Sequence, residues 1–245
     1  MHYSRAPIAE AVIDLHVTFD AMPAVGALER FAKTLVVDFP QQQRINALEM
    51  ALKAAGEDGS MSSNTSTSTL GFRLTNQIGD RVLQIRRNGL SYSHLAPYTE
   101  WDSFVAEMRP LWSKFLADLA PKAVSRFAVR YINRITVPQG ADLDEYLNLT
   151  PRLLEGICPD VEGYFLQLVL PQKDLGPEWK AIVNTALEGA VPPNAMSVLL
   201  DIDLFCEQNI GVGEGDVWPV LDQLRHRKNL IFEAAITDKV RSMIE

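Results

Sequence analysis

The sequence predicts an α+β protein of two similarly ordered halves, each an antiparallel sheet packed on a long helix. Three observations predict it. Stretches of period-two apolar alternation outnumber helical ones. Two long amphipathic segments, at 99–119 and from Asp216 onward, each follow a run of such stretches. The order strand, helix, several strands, long helix occurs twice, as a repeat of pattern without residue identity.

In chain order, residues 9–19 alternate. Ala11, Ile13, Leu15, Val17 and Phe19 share one face, with Glu10, Asp14 and His16 on the other, as in a half-buried strand. Residues 22–37 predict a helix, with Pro23 in its first turn and Leu28, Phe31, Ala32 and Leu35 at helical spacing. Residues 42–55 allow a helix by composition, but a strand suits the repeated order. The Ser/Thr-rich 57–69 is expected as a mobile hairpin loop. "TLGFRLTN", "RVLQIRR" and "LSYSHL" read as strands, the last two joined at Asn88-Gly89, a strong hairpin signal. Residues 99–119 predict a helix capped by Thr99, with Trp101, Phe104, Met108, Trp112 and Phe115 on its apolar stripe. In the second half, 124–137 is a strand and 143–154 a short helix broken near Pro151. "GYFLQLVLPQ", "EWKAIVNTALEG" and "MSVLLDIDLFCE" are strands, and a long C-terminal helix is interrupted near Thr237. That order fits tandem helix-grip, TATA-box-binding-protein-like halves, residues 1–121 and 122–245, with ferredoxin-like halves as the alternative.

The chain has 245 residues, with 47% hydrophobic and 22% charged, the profile of a globular protein able to bury a large core without staples. A net charge of −8 disfavours a general nucleic-acid binder, which carries a basic excess. The two cysteines have no metal spacing and suit a reducing, cytoplasmic setting. No signal peptide or membrane span is expected, because Glu10 and Asp14 interrupt the N-terminal apolar residues and no apolar run approaches the ~18 residues a span needs.

"APIAEAVIDL", "YTEWDSF" at 98–104, "RYINRI" at 130–135 and "FEAAIT" at 232–237 follow one another in that order. Together they resemble a bacterial family described as "sporadically distributed protein", over nearly the whole chain. The resemblance implies a mobile or defence-linked setting. It brings no catalytic residues.

The strand "RFAVRYINRITVP", at 126–138, puts Phe127, Val129, Tyr131, Asn133 and Ile135 on one face and Arg126, Arg130 and Arg134 on the other. Successive arginines lie ~13 Å apart along such a strand. They could form an anion track for phosphates. They could equally pair with carboxylates on neighbouring strands, with Asp201, Asp203 and Glu207 opposite in the second half and Glu10 and Asp14 facing Arg81, Arg86 and Arg87 in the first. Pairing is the expected use. Asn133, on the apolar face, is expected to latch onto backbone groups at a helix end or loop, or else to line a pocket with Tyr131.

No catalytic set emerges. His2, His16, His94 and His226 form no ligand motif, and His226 sits in "RHRK", which reads as a solvated helix face. Asp201-x-Asp203 lacks a third converging ligand, so neither metal nor cofactor is expected. "GVGEGD" lacks a phosphate-loop pattern, and no GxSxG occurs. Cys158 is read as inert. Three functional readings follow. The first is a non-catalytic binding or regulatory module acting on a protein partner. The second is a small-ligand carrier or enzyme using a sheet–helix cavity. The third is a nucleic-acid binder through the Arg126, Arg130 and Arg134 face. The residues expected to bind are Arg126, Arg130, Arg134, Tyr131, Asn133 and His226.

Overall fold

A computed structural model describes residues 3–53, 62–152, 161–188 and 194–245. Nine antiparallel strands form one sheet: β1 (Ile8–Thr18), β2 (Gln41–Lys53), β3 (Ser62–Thr75), β4 (Arg81–Arg86), β5 (Gly89–Leu95), β6 (Ala123–Pro138), β7 (Phe165–Pro171), β8 (Trp179–Glu188) and β9 (Ala195–Cys206). Their spatial order is β2-β3-β4-β5-β1-β6-β9-β8-β7. The helices are α1 (Val25–Thr34), α2 (Trp101–Leu119), α3 (Glu214–Ala235) and α4 (Asp238–Ile244). The molecule is therefore α+β, with a large antiparallel sheet and four helices among the described residues. None of them is long and apolar enough to cross a membrane.

β1 neighbours β5, and β6 neighbours β9. In the middle of the sheet β1 pairs antiparallel with β6, with Ile13 opposite Val129 and Leu15 opposite Phe127. Alternation on these strands sends Ala11, Ile13, Leu15, Phe127, Val129 and Tyr131 into one core. On its helix side stand Phe104, Met108, Trp112 and Phe115 of α2 and Val217, Leu221 and Leu224 of α3, all fully buried. Phe115 meets Phe31 of α1 edge-on at 5.8 Å.

Four sequence expectations need correction. Residues 62–69 belong to β3, where polar Ser and Thr pair residue for residue with β2 from Ser62 opposite Lys53 to Thr69 opposite Asn46. Backbone pairing with a long partner overrides a loop-like composition, and β-branched threonine suits a strand. The remainder of the expected loop, 57–61, lies outside the described residues. Thr99 does not cap α2. Glu100 holds the N-cap position, and no side-chain cap bond forms there. The expected helix at 143–154 is only a single 3₁₀ turn, Leu143–Glu145, after which Leu147 bridges to Ile236. Cys158 and the rest of that segment, 153–160, lie outside the described residues.

The hairpin between β4 and β5 forms, but Gly89 is not at its tip. It opens β5 opposite Arg86, and its role is close approach. A Cβ at Gly89 would stand 2.2 Å from the Leu15 carbonyl oxygen of β1. Gly89→Ala is expected to lower stability by about 2 kcal/mol, because the backbone of a packed sheet must shift to accept the methyl. Urea unfolding checks this, and an unchanged midpoint would refute it.

Candidate functional site

The sheet face turned away from the core carries the arginine strand, and it is countercharged. Arg130 makes a two-pronged contact with Asp201, with Nε and Nη2 each at 2.8 Å. Arg126 bridges Asp14 at 3.0 Å and Asp203 at 3.2 Å, while its guanidinium lies 4.6 Å from the centre of the Phe205 ring. Arg134 pairs with Glu188 at 2.9 Å. In the first half Arg86 binds Asp14. Arg81 instead binds Asp80 and Glu107, and Arg87 donates to the Pro23 carbonyl.

Register explains the pairing. Arg130 stands opposite Asp203, so its two-pronged contact with Asp201 is diagonal, within reach of a long side chain. The polar contacts extend outward to Asn184, which donates to Asp201 at 2.9 Å, and to Gln167 of β7, which donates to Asn184 at 2.8 Å.

Asp14 is the hub. Besides the two arginines it accepts from Ser91, and His16 Nε2 lies 3.0 Å from its Oδ2. Burial alone would raise its pKa, but the His16 and Ser91 hydrogen bonds and the Arg86 charge hold it well below the usual carboxylate range. Asp203 goes the other way. Burial raises it, and the Arg126 and Arg130 charges only partly offset burial and the neighbouring carboxylates. With their charges neutralised in this way, the three arginines make a poor anion track.

The core-facing side offers a different environment. The N-terminal arm, the start of α2, β6 and α3 enclose a cavity of about 550 Å³. Beside it the pairing of β1 with β6 is broken by a bulge. Ile8 opposes Asn133 and Glu10 opposes Ile132, so Ala9 is the extra residue. The pairing resumes at Ile8, and the Pro7 carbonyl accepts from Arg134 N–H at 2.7 Å before the arm begins. The arm is tied to the C-terminus by Arg5 N–H to the Ile244 carbonyl at 3.0 Å, and the Tyr3 hydroxyl donates to Glu233 at 2.9 Å.

Tyr131, Asn133 and His226, three of the residues expected from the sequence, all line this cavity. Asn133 is 2% exposed, and its NH₂ donates to the Leu200 carbonyl at 3.0 Å and to the Tyr131 carbonyl at 3.4 Å. The latch therefore closes on sheet backbone rather than on a helix end. Two carbonyl partners require the NH₂ there, which leaves Oδ1 as the amide's remaining acceptor. Tyr131 shares a 2.8 Å hydroxyl–hydroxyl contact with Tyr98, and burial pushes Tyr98 up to about 12 and raises Tyr131 well above the usual phenol value.

Lys228, which the sequence reading passed over, is the unusual member. The "RHRK" segment is not uniformly solvated. Arg225 and His226 are exposed, whereas Lys228 is 7% exposed. Spacing along α3 shows why. Val217, Leu221, Leu224, Lys228 and Phe232 fall on one core-facing stripe, and the lysine takes a position suited to an aliphatic residue. That periodicity was the available signal. Lys228 Nζ lies 3.7 Å from the centre of the Tyr131 ring, and it has no hydrogen bond or ion pair among the described residues. Glu233, one turn on, is bound by Tyr3 and by Arg241 at 3.2 Å. Burial, aided by the Arg225 charge, pushes Lys228 down to about 7.

Comparisons with protein families, with curated proteins and with solved structures return no match. Among the described residues no group of three or more histidines, cysteines or carboxylates is placed to hold a metal ion.

The Asp14 hub has a pH signature. A carboxylate held below its unfolded pKa stabilises the fold fully above pH ~4 and loses that contribution as pH falls further. Asp203 acts in the opposite sense. Asp14→Asn is expected to cost about 3 kcal/mol at pH 7, because it deprives Arg86 of its carboxylate and leaves Arg126 with Asp203 alone. It should also flatten the loss of stability below pH ~4. Chemical denaturation at pH 7 and pH 3 reads both, and an equal acid slope in both proteins would refute the assignment.

Proposed function

We propose that this protein binds a small organic anion in the cavity between its N-terminal arm, α2, β6 and α3. One observation carries the reading: a nearly buried lysine with no ion pair among the described residues opens onto that cavity. An unpaired buried ammonium opposes folding, and a ligand carboxylate or phosphate would supply the missing countercharge. Arg225 and His226 stand at the mouth, and the Asn133 Oδ1 can accept from a ligand hydroxyl or amine. Tyr98, Tyr131 and Trp101 provide flat apolar walls, the mixture usual in small-molecule sites. We further read the halves, 1–121 and 122–245, as tandem helix-grip units, in which a space between long helix and sheet is a natural place for a ligand.

A second reading keeps a protein partner. β7 hydrogen-bonds to β8 alone, and Phe165 and Val169 on it are 68% and 56% exposed. Such an edge can accept an added strand. The resemblance to the sporadically distributed family fits a regulatory partner in a mobile or defence-linked system. A photo-crosslinker at position 169 that captures no protein in the host cell would remove this reading. Nucleic-acid binding is the weakest of the three, because Arg126, Arg130 and Arg134 already face carboxylates.

The ligand reading makes Lys228 costly to the empty protein. A lysine whose pKa falls on folding binds fewer protons folded than unfolded between pH ~7 and ~10.4. Wild-type stability therefore rises across that window. Lys228→Met is expected to melt several degrees higher than wild type at pH 7, with the gain shrinking toward pH 10. In a thermal-shift screen of small carboxylates and phosphates, ligands that stabilise wild type should fail to stabilise this variant. A destabilised Lys228→Met protein, or one stabilised by the same ligands, would overturn the reading. Asn133→Ala should lose about 1–3 kcal/mol through the unsatisfied Leu200 carbonyl and the cavity it opens. Calorimetry without ligand checks that loss.

A further inference from the structure

We propose that Lys228 is a covalent site, whose amine condenses with the carbonyl group of a small oxo acid to form an imine in the cavity. This rests on the ligand-binding reading and adds the substrate class: an aldehyde or ketone carrying an anionic group.

Three features of the geometry carry it. The first is access. Lys228 is nearly buried, yet it lines a cavity of about 550 Å³, room enough for a molecule of a few carbons and a carboxylate. The second is that no carboxylate among the described residues makes an ion pair with Lys228, although the charge of Glu233 acts on it from a distance. Most buried lysines are held as ammonium ions by a carboxylate, which keeps the nitrogen lone pair occupied by a proton. Here Glu233 is bound by Tyr3 and Arg241, and Asp222 accepts from Trp101 Nε1 at 2.7 Å. Glu100 and Asp102 lie at the opening on α2, and both are exposed. The third is the cationic neighbourhood. Arg225 faces the same space, where it disfavours a second positive charge and can hold the ligand's anionic end. The low pKa of Lys228 agrees with these features, and about half of the amine is neutral near pH 7.

The chemistry balances without another reactant. The Nζ lone pair attacks the carbonyl carbon and forms a C–N bond. The carbonyl π electrons move to oxygen, which takes up a proton. The resulting hydroxyl leaves as water together with the proton lost from nitrogen, and the product is a C=N bond. Hydrolysis by the same steps releases the carbonyl compound. Tyr98 and Tyr131 stay protonated at neutral pH; one hydroxyl donates to the other, so the pair keeps one O–H free to donate into the cavity.

Glyoxylate is a suitable probe, with cyanoborohydride to trap any imine as carboxymethyl-lysine and peptide mapping to locate it. At pH 7 an ordinary surface lysine is neutral in only about one molecule in ~2,500. The neutral fraction of Lys228 is thus about a thousandfold larger, and because a weaker base is also a weaker nucleophile, labelling is expected to exceed that of an average surface lysine on the order of a hundredfold or less. Glycolate, the same anion without a reactive carbonyl, should slow it. Lys228→Met should show unchanged labelling elsewhere, and a melting curve confirms that it folds. Surface lysines reacting as fast as Lys228 would overturn the proposal. If glycolate stabilises the protein but Lys228 stays unlabelled, the imine falls and the anion site stands. If Lys228 is labelled while glycolate neither competes nor stabilises, the imine stands and the anion site falls.

Discussion

The antiparallel seam between β1 and β6 is the constraint on which the rest of the molecule depends. It joins β1–β5 to β6–β9 in one sheet, so their apolar faces become one core. Its register places Asp14 opposite Ala128, a small residue that leaves room for Arg126 to reach over. The close packing of Gly89 on Leu15 depends on the same strand. Past the Ala9 bulge the seam ends at Ile8 and Pro7, and the arm before them forms one wall of the cavity. A one-residue slip would exchange the faces of β1 and place Asp14 in the core.

The two faces of the sheet treat charge in opposite ways. On the open face every arginine of β6 meets a carboxylate, and Asp14 alone gathers two guanidinium groups, a hydroxyl and an imidazole. Such a lattice of cross-strand pairs orients strands and resists slippage, and it leaves little net field for a polyanion. On the core face Lys228 sits against the ring of Tyr131 with no ion pair among the described residues. The contact with a tyrosine face offsets part of the desolvation cost. The remainder is a standing penalty that an anionic ligand would relieve, which is why Lys228 points to function more strongly than the larger arginine set.

The hydroxyl pair of Tyr98 and Tyr131 and the latched amide of Asn133 serve as fixed polar points in an otherwise aromatic wall. Their partners are backbone or one another, so their orientations do not depend on a ligand being present. Preorganisation of this kind lowers the ordering cost of binding.

The sequence by itself determined the strands and long helices, because hydrophobic periodicity is written locally: period two in "RFAVRYINRITVP" and "RVLQIRR", helical spacing in Trp101, Phe104, Met108 and Trp112. It also showed that arginines and aspartates occupy like-facing positions on strands. Only the tertiary structure decided which of them meet. Arg130 chose the diagonal Asp201 over the directly opposite Asp203, and Arg81 left the strand carboxylates for Glu107 of α2. Residues 62–69 read as a loop because their composition is polar, and the register of β2 made them a strand. The cavity was beyond local reading altogether. It is assembled from residues 3, 98, 131 and 228, brought together by a bulge, a loop and a helix face. The lysine at its centre was hidden in a basic tetrapeptide because charge composition is a property of a segment, whereas burial is a property of one face of a folded helix.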